Sequence, residues 1–187
     1  SLHIESIPRV VKQGEVCFIK ASGPDSLESI DGEFRRERFP MALNEKNGIY
    51  EGLIGIDVGT RPATYEVKVT SRDGDGQVYS GRLLLKVEKV VFETQKLSLP
   101  SHLVELNAKD LERVKKEAKQ LDTLFQSLRE ERLWRGAFIR PVEGELSGAF
   151  GLRRIMNGQP QHPHTGVDLQ AKEGTPVLAC NTGMVVL

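Results

Sequence analysis

One stretch divides this chain into parts that cannot share a single pattern. Between Asn107 and Arg135 there is neither glycine nor proline, and Leu111, Val114, Ala118, Leu121, Phe125 and Leu128 recur at steps of 3, 4, 3, 4 and 3. That spacing lays one apolar stripe along a helical face for about five turns. The pattern predicts a helix over 108–133. Asn107 is the expected N-cap, with Asp110 as an acidic partner three residues on, and Gly136 is the expected stop. Lysine, arginine and glutamate cover the other faces as a solvated surface. A stripe this narrow suits a strut packed within the same chain, or a short coiled coil.

On either side the sequence reads as strand. Tyr65, Val67 and Val69 alternate with Glu66, Lys68 and Thr70, the period of two expected of a half-buried strand. Val16 and Phe18 alternate with Cys17 and Ile19, and a similar pattern runs through Ile49–Ile56. Leu83, Leu85 and Val87 give a return strand after the turn Ser71-Arg72-Asp73-Gly74-Asp75-Gly76. Further turn signals fall at Gly23-Pro24-Asp25, Asp31-Gly32 and Asn44 to Gly48. Short strands so closely punctuated predict an immunoglobulin-like β-sandwich over 1–88, without the Cys…Trp…Cys pattern of an antibody domain. No catalytic constellation is visible there. Residues 89–135 read as a connector carrying the helix, with β-like pieces at Val90-Val91-Phe92 and Leu97-Ser98-Leu99-Pro100.

From 136 to 187 the composition changes. Gly144, Gly148, Gly151, Gly158, Gly166, Gly174 and Gly183 are mixed with Val, Ile and Leu, and Asn157-Gly158 is a hairpin signal. Thr175–Ala179 and Met184–Leu187 read as strands joined through Asn181-Thr182-Gly183. A β fold of this size ending in mid-strand leaves an open edge and a small core, so this third segment is expected to be incomplete. The whole is therefore expected to be mainly β: an N-terminal sandwich, a long linking α-helix and a partial C-terminal β-barrel or sandwich.

Bulk properties exclude several classes. Lysine plus arginine and aspartate plus glutamate balance at 26 each, which gives no general case for nucleic acid or acidic partners. No apolar run reaches the roughly 18 residues of a transmembrane span. The chain opens Ser-Leu-His with no visible signal peptide, as in a trimmed or mature form. Cys17 and Cys180 are 163 residues apart and lack the spacing of a structural zinc site; two small buried residues are the expectation.

The residues with metal chemistry cluster at His162-Pro163-His164-Thr165-Gly166-Val167-Asp168. His164 and Asp168 share parity on a strand, but a straight strand would part them by about 13 Å, too far for one ion. Thr165, Gly166 and Val167 make poor helix. A bend at Thr165-Gly166, with Asp168 opening a strand, is what remains if the two are to meet; a surface loop with Asp168 capping a turn is the plain alternative. His162, two residues before His164 on a segment that Pro163 favours as extended, is a second metal candidate, with a solvent-facing loop histidine as the plain alternative.

Several separate stretches carry a resemblance. Phe138-x-x-Pro141, Gly144-Glu145-Leu146-Ser147-Gly148-Ala149-Phe150-Gly151-x-Arg153-Arg154, His164-Thr165-Gly166-Val167-Asp168-Leu169, Gly174-Thr175-Pro176-Val177-x-Ala179 and Gly183-x-Val185-Val186 resemble, in order and spacing, the opening half of the lysostaphin-type zinc peptidases, family M23. The upstream sandwich and helix resemble the accessory region found before this domain in some envelope members.

The resemblance implies a zinc endopeptidase cutting the peptide cross-links of bacterial peptidoglycan, in the periplasm, cell envelope or outside the cell. It implies His164 and Asp168 as two of three zinc ligands. The third ligand and the catalytic histidines are implied downstream of Leu187, on a missing C-terminal segment or a second chain, so this chain alone is expected to be inactive. Arg153 and Arg154 are candidates for meeting substrate carboxylates, with salt bridges or exposed charge as the alternative. Asn157 is expected to serve the turn rather than the metal. A second reading is a non-catalytic relative that binds cell wall or activates an amidase. A third, a biotinyl-lipoyl carrier suggested by Gly174–Val186, lacks a lysine in its turn.

Overall fold

The computed structural model describes residues 1–24, 27–100, 107–127 and 131–186. It is mainly β with one helix, and it divides into two compact units: Ser1–Val90 with Leu128–Arg132, and Val91–Ser127 with Leu133–Leu187.

The first unit contains β1 (His3–Ile7), β2 (Val10–Lys12), β3 (Val16–Ser22), β4 (Leu27–Phe34), β5 (Glu37–Asn44), β6 (Ile49–Gly55), β7 (Ala63–Asp73) and β8 (Val78–Glu88). They form one continuous sheet in the order β1-β3-β6-β5-β4-β7-β8-β2. The sheet nearly closes, because the Leu2 amide donates to the Ser80 carbonyl at 3.0 Å while β2 runs parallel to the end of β8. The alternating patterns set which side faces inward. Cys17, Ile19, Val67, Val69, Leu85 and Val87 all point into a single core. Burying side chains of this size is worth about 1.5–3 kcal/mol each, the main source of stability in this unit.

Of the expected turns, Gly23-Pro24-Asp25 runs outside the described residues, and among the described ones of this unit one differs. Asp31-Gly32 lies inside β4, not at a turn; the glycine is needed because a Cβ there would stand 2.2 Å from the Phe39 ring. The chain reverses instead at Arg35-Arg36, with φ of 52° and 68°. These are the left-handed angles of a two-residue hairpin turn, usually filled by Asn or Gly. Arg35 gains from the conformation, since its guanidinium donates to Thr60 Oγ1 at 3.0 Å and lies over the Tyr65 ring. Arg36→Gly is therefore expected to raise the unfolding free energy by about 1 kcal/mol, read as a shifted urea midpoint with unchanged slope. The expected Ser71–Gly76 turn is present. Gly76 takes φ 82°, and the buried Asp73 carboxylate accepts the amides of Asp75 and Gln77 and the Tyr79 hydroxyl.

Both cysteines are free thiols. Burial pushes the Cys17 thiol up to about 11, whereas Cys180 is exposed. A thiol reagent at neutral pH is expected to modify Cys180 rapidly and Cys17 only after denaturation. Two fast thiols per chain would contradict this packing.

The second unit holds β9 (Thr94–Leu97), α1 (Ala108–Gln126), β10 (Leu146–Gly148), β11 (Arg153–Met156), β12 (Gln159–Pro160) and β13 (Asp168–Leu169). Asn107 caps α1 as expected: its Oδ1 accepts the Asp110 amide at 3.0 Å. The helix is shorter than 108–133. Ser127 closes it, with both its amide and its hydroxyl bonded to the Leu124 carbonyl, and the described residues from Glu131 to Gly136 are not helical. Leu128, the last residue of the stripe, lies outside the described residues. No residue of α1 is buried, and Phe125 is 80% exposed, so the stripe does not gain the cover expected of a packed strut.

β9 pairs in parallel with β11, so the connector returns as part of a three-stranded sheet rather than merely leaving the first unit. Asn157-Gly158 turns β11 into β12 as expected, with φ of 49° and 80°, and the Asn157 amide ties both backbone groups of Leu99 at 2.8 Å. The expected strands at 175–179 and 184–187 are absent among the described residues, and Leu187 is not described. A strand exists only by pairing, and there the Leu178 amide donates to the Pro141 carbonyl and the Ile139 amide to the Cys180 carbonyl, but Pro141 has no N–H to return a bond, and Val185 is 91% exposed. Among the described residues of this unit only Gly148 and Gly151 are buried.

Candidate metal centre

β10 and β13 pair antiparallel, with Leu146 opposite Leu169 and Gly148 opposite Asp168. The chain reaches β13 through a bend at Gly166, the conformation the spacing of His164 and Asp168 called for. Backbone bonds fix the segment before it. The His164 amide donates to the Leu152 carbonyl at 2.9 Å, and the Gly151 amide donates to the His164 carbonyl at 2.7 Å. Gly151 has φ 78°, and a Cβ there would stand 2.1 Å from the Phe92 ring, so no other residue fits this corner.

The bend brings His164 Nε2 to 3.3 Å from Asp168 Oδ1. The other ring nitrogen, Nδ1, lies 3.0 Å from the Ala149 carbonyl oxygen. A carbonyl only accepts, so Nδ1 must carry a proton. In the neutral ring Nε2 then presents a lone pair directly to a carboxylate oxygen. Two acceptors facing each other at this distance need a cation between them, either a proton or a metal ion.

The donor set and spacing fit zinc. Two donors bonded at about 2.0–2.1 Å to one tetrahedral ion stand about 3.3 Å apart. An imidazole held by a carbonyl at its far nitrogen is the usual outer support of such a ligand. Space for the carboxylate is made by Gly148, where an added Cβ would come within 2.2 Å of Asp168 Oδ2 and 2.9 Å of its Cγ. Thus consecutive residues at the end of β10 place both side chains, Gly148 by leaving room and Ala149 by its carbonyl. The sequence contains both within a recognised stretch, but a backbone carbonyl leaves no sequence signal.

Among the described residues no third His, Cys, Asp or Glu joins the pair. His162 is exposed. Arg153 and Arg154 are neighbours on β11, where successive side chains point to opposite faces, so at most one of them shares a face with any given substrate group. Asn157 serves its turn and the Leu99 backbone.

No protein-family profile and no curated protein matches this chain. Among solved structures, 48% of the chain is similar to 23% of a Bacteroides ovatus mixed-linkage glucan utilization locus protein, SGBP-B, in complex with a mixed-linkage heptasaccharide, at 15% identity and TM-score 0.28. Similarly, 49% of the chain is similar to the whole BIgI domain of beta protein from S. agalactiae bound to CEACAM1, at 15% identity and TM-score 0.29. The chain spans less than a quarter of the first of these proteins, and likenesses this distant carry no argument about fold family or ligand.

Proposed function

We propose that the second unit is the opening half of an M23-type zinc endopeptidase acting on the peptide cross-links of bacterial peptidoglycan. The observation that carries this reading is the facing of His164 Nε2 and Asp168 Oδ1 at 3.3 Å with Nδ1 held by a carbonyl. On this reading the first unit is an immunoglobulin-like sandwich whose two layers share β5, the helix is the connector between domains, and the protein works in the periplasm or cell envelope. No described helix is long and apolar enough to cross a membrane.

His164 and Asp168 would hold the zinc, with the third ligand supplied from outside residues 1–187. Zinc bound there would act as a Lewis acid, polarising a scissile carbonyl and lowering the pKa of a water toward neutrality. The chain's own residues set up that site. Ala149 keeps the proton on Nδ1, which leaves Nε2 free to bind. Asp168 supplies a negative charge that a third imidazole would not. Arg153 or Arg154 offers a planar fork for a substrate carboxylate.

The test is the zinc-loaded natural protein on cross-linked muropeptides. Cleavage that a chelator stops, and that His164→Ala and Asp168→Ala abolish, is the expected result. Fully zinc-loaded protein that leaves the cross-links intact would contradict it. The 187-residue chain alone is expected to be inactive. One observation favours a second reading, a non-catalytic relative that binds the wall or activates an amidase: only two donors stand together among the described residues. Retention on insoluble peptidoglycan without cleavage is its signature.

A further inference from the structure

The sheet of the first unit has a seam where strand pairing is interrupted. β4 pairs with β7 along Leu27–Phe34 but with β5 only over Asp31–Phe34. Past Pro40, β5 leaves β4 and pairs with β6 through Met41–Asn44. Between the parted strands lies a cavity of about 340 Å³ lined by Glu28, Ser29, Ile30, Met41 and Tyr50 among others. The pairing of Asp31 with Pro40 bounds one end, and the Arg38–Asp31 ion pair lies beside it. Toward the other, Tyr50 reaches from β6 to donate its hydroxyl to the Leu27 carbonyl at 3.1 Å.

The backbone at this seam faces an absent strand. Pro40 has no N–H, so its pair with Asp31 is one that exchanges no ladder bonds. By alternation Gly32 and Ile30 aim their N–H and C=O groups toward the β5 side of β4. Gly32 finds Phe39 opposite; Ile30 finds the cavity. The edge between the Tyr50 bond at Leu27 and the last β5 pair, Glu28–Ile30, is about 10 Å long, room for two or three extended residues. Side chains of such a segment would meet an apolar floor of Ile30, Phe39 and Met41 on one face.

Charge selects among peptides. Arg38 is engaged by Asp31, whereas the exposed Glu28 carboxylate, resting beside Gly74 of the β7–β8 turn, has no hydrogen-bond partner among the described residues. We propose that this seam binds a short extended peptide as an added strand, with a cationic side chain or amine set against Glu28. Main-chain bonds supply affinity in this mode and side-chain pockets supply choice. The inference does not depend on the zinc site.

The test titrates the ¹⁵N-labelled 187-residue chain with acetyl-Val-Lys-Val-amide. Saturable shifts confined to the amides of Glu28–Asp31 and Met41–Leu43 are expected, and a backbone N-methylated copy of the peptide is expected not to bind. Glu28→Gln, at an exposed position that leaves the free spectrum unchanged elsewhere, is expected to weaken binding about tenfold. Absence of saturable shifts at millimolar peptide would overturn the proposal. So would equal binding of the N-methylated copy, or shifts centred away from the seam.

Discussion

Gly148→Ala is expected to lower zinc affinity at the His164–Asp168 pair by roughly 10- to 100-fold while leaving the first unit folded. The added methyl would stand 2.2 Å from Asp168 Oδ2, and the neighbour that must yield is the end of a rotatable side chain. Turning the carboxylate away relieves the overlap at little cost in stability, but it removes Oδ1 from its place 3.3 Å from Nε2. The effect is thus read in metal binding and not in unfolding. Competition with a chromophoric zinc chelator measures it. Gly144→Ala provides the contrast. A Cβ there would stand 1.9 Å from the Gln170 carbonyl, which is backbone and cannot rotate away, so the β10–β13 pairing itself is lost. Unchanged zinc affinity in Gly148→Ala would mean that Asp168 is not a ligand.

The second large effect concerns Glu51. This residue is 8% exposed, and its carboxylate accepts from Arg132 at 2.6 Å and from Asn44 at 3.1 Å. Burial alone would push the carboxyl up. The hydrogen bonds from Arg132 and Asn44, with the charges of Arg132 and Lys20, outweigh that and hold it below the ordinary value. Glu51→Ala is expected to cost about 2 kcal/mol, since it removes the buried carboxylate that accepts charge-assisted bonds from Arg132 and a bond from Asn44. The pH dependence follows from the direction of the shift. A carboxyl whose folded pKa lies below its unfolded value of about 4.3 adds stability that is fully present above that value. The contribution is lost as pH falls through the lower, folded pKa. Urea unfolding of wild type and Glu51→Ala at neutral pH should therefore differ by this amount, and the two should converge in acid. A constant difference down through the carboxylate range would contradict the assignment.

How far the sequence reveals this molecule depends on where each signal resides. Tyr65, Val67 and Val69 expose their strand because alternation is a property of the segment itself, and β7 is where they fall. The same holds for the capping of α1 by Asn107 and for the hairpin at Asn157-Gly158. Arg35-Arg36 is invisible as a turn because the compensating contacts to Thr60 and Tyr65 lie far along the chain. Gly32 misleads for a related reason: its glycine answers to Phe39 across the hairpin, not to a local reversal. Thr175–Ala179 has strand composition, but the residue it meets is Pro141, which has no N–H to complete a ladder. At the His164–Asp168 pair, the bend at Gly166 that lets the two meet is legible from strand spacing and from the poor helix propensity of Thr165-Gly166-Val167. The carbonyl of Ala149 that orients His164, and the clearance at Gly148, are properties of the β10–β13 pairing and of the turn that follows β10.

The central claim is that His164 and Asp168 bind one zinc ion. It is tested most directly by anomalous diffraction at the zinc edge from crystals of the chain grown with zinc. A peak bridging His164 Nε2 and Asp168 Oδ1, with bonds of about 2 Å to each, is the expected result. Zinc bound elsewhere, with this pair still facing each other and joined only by a proton, would contradict it.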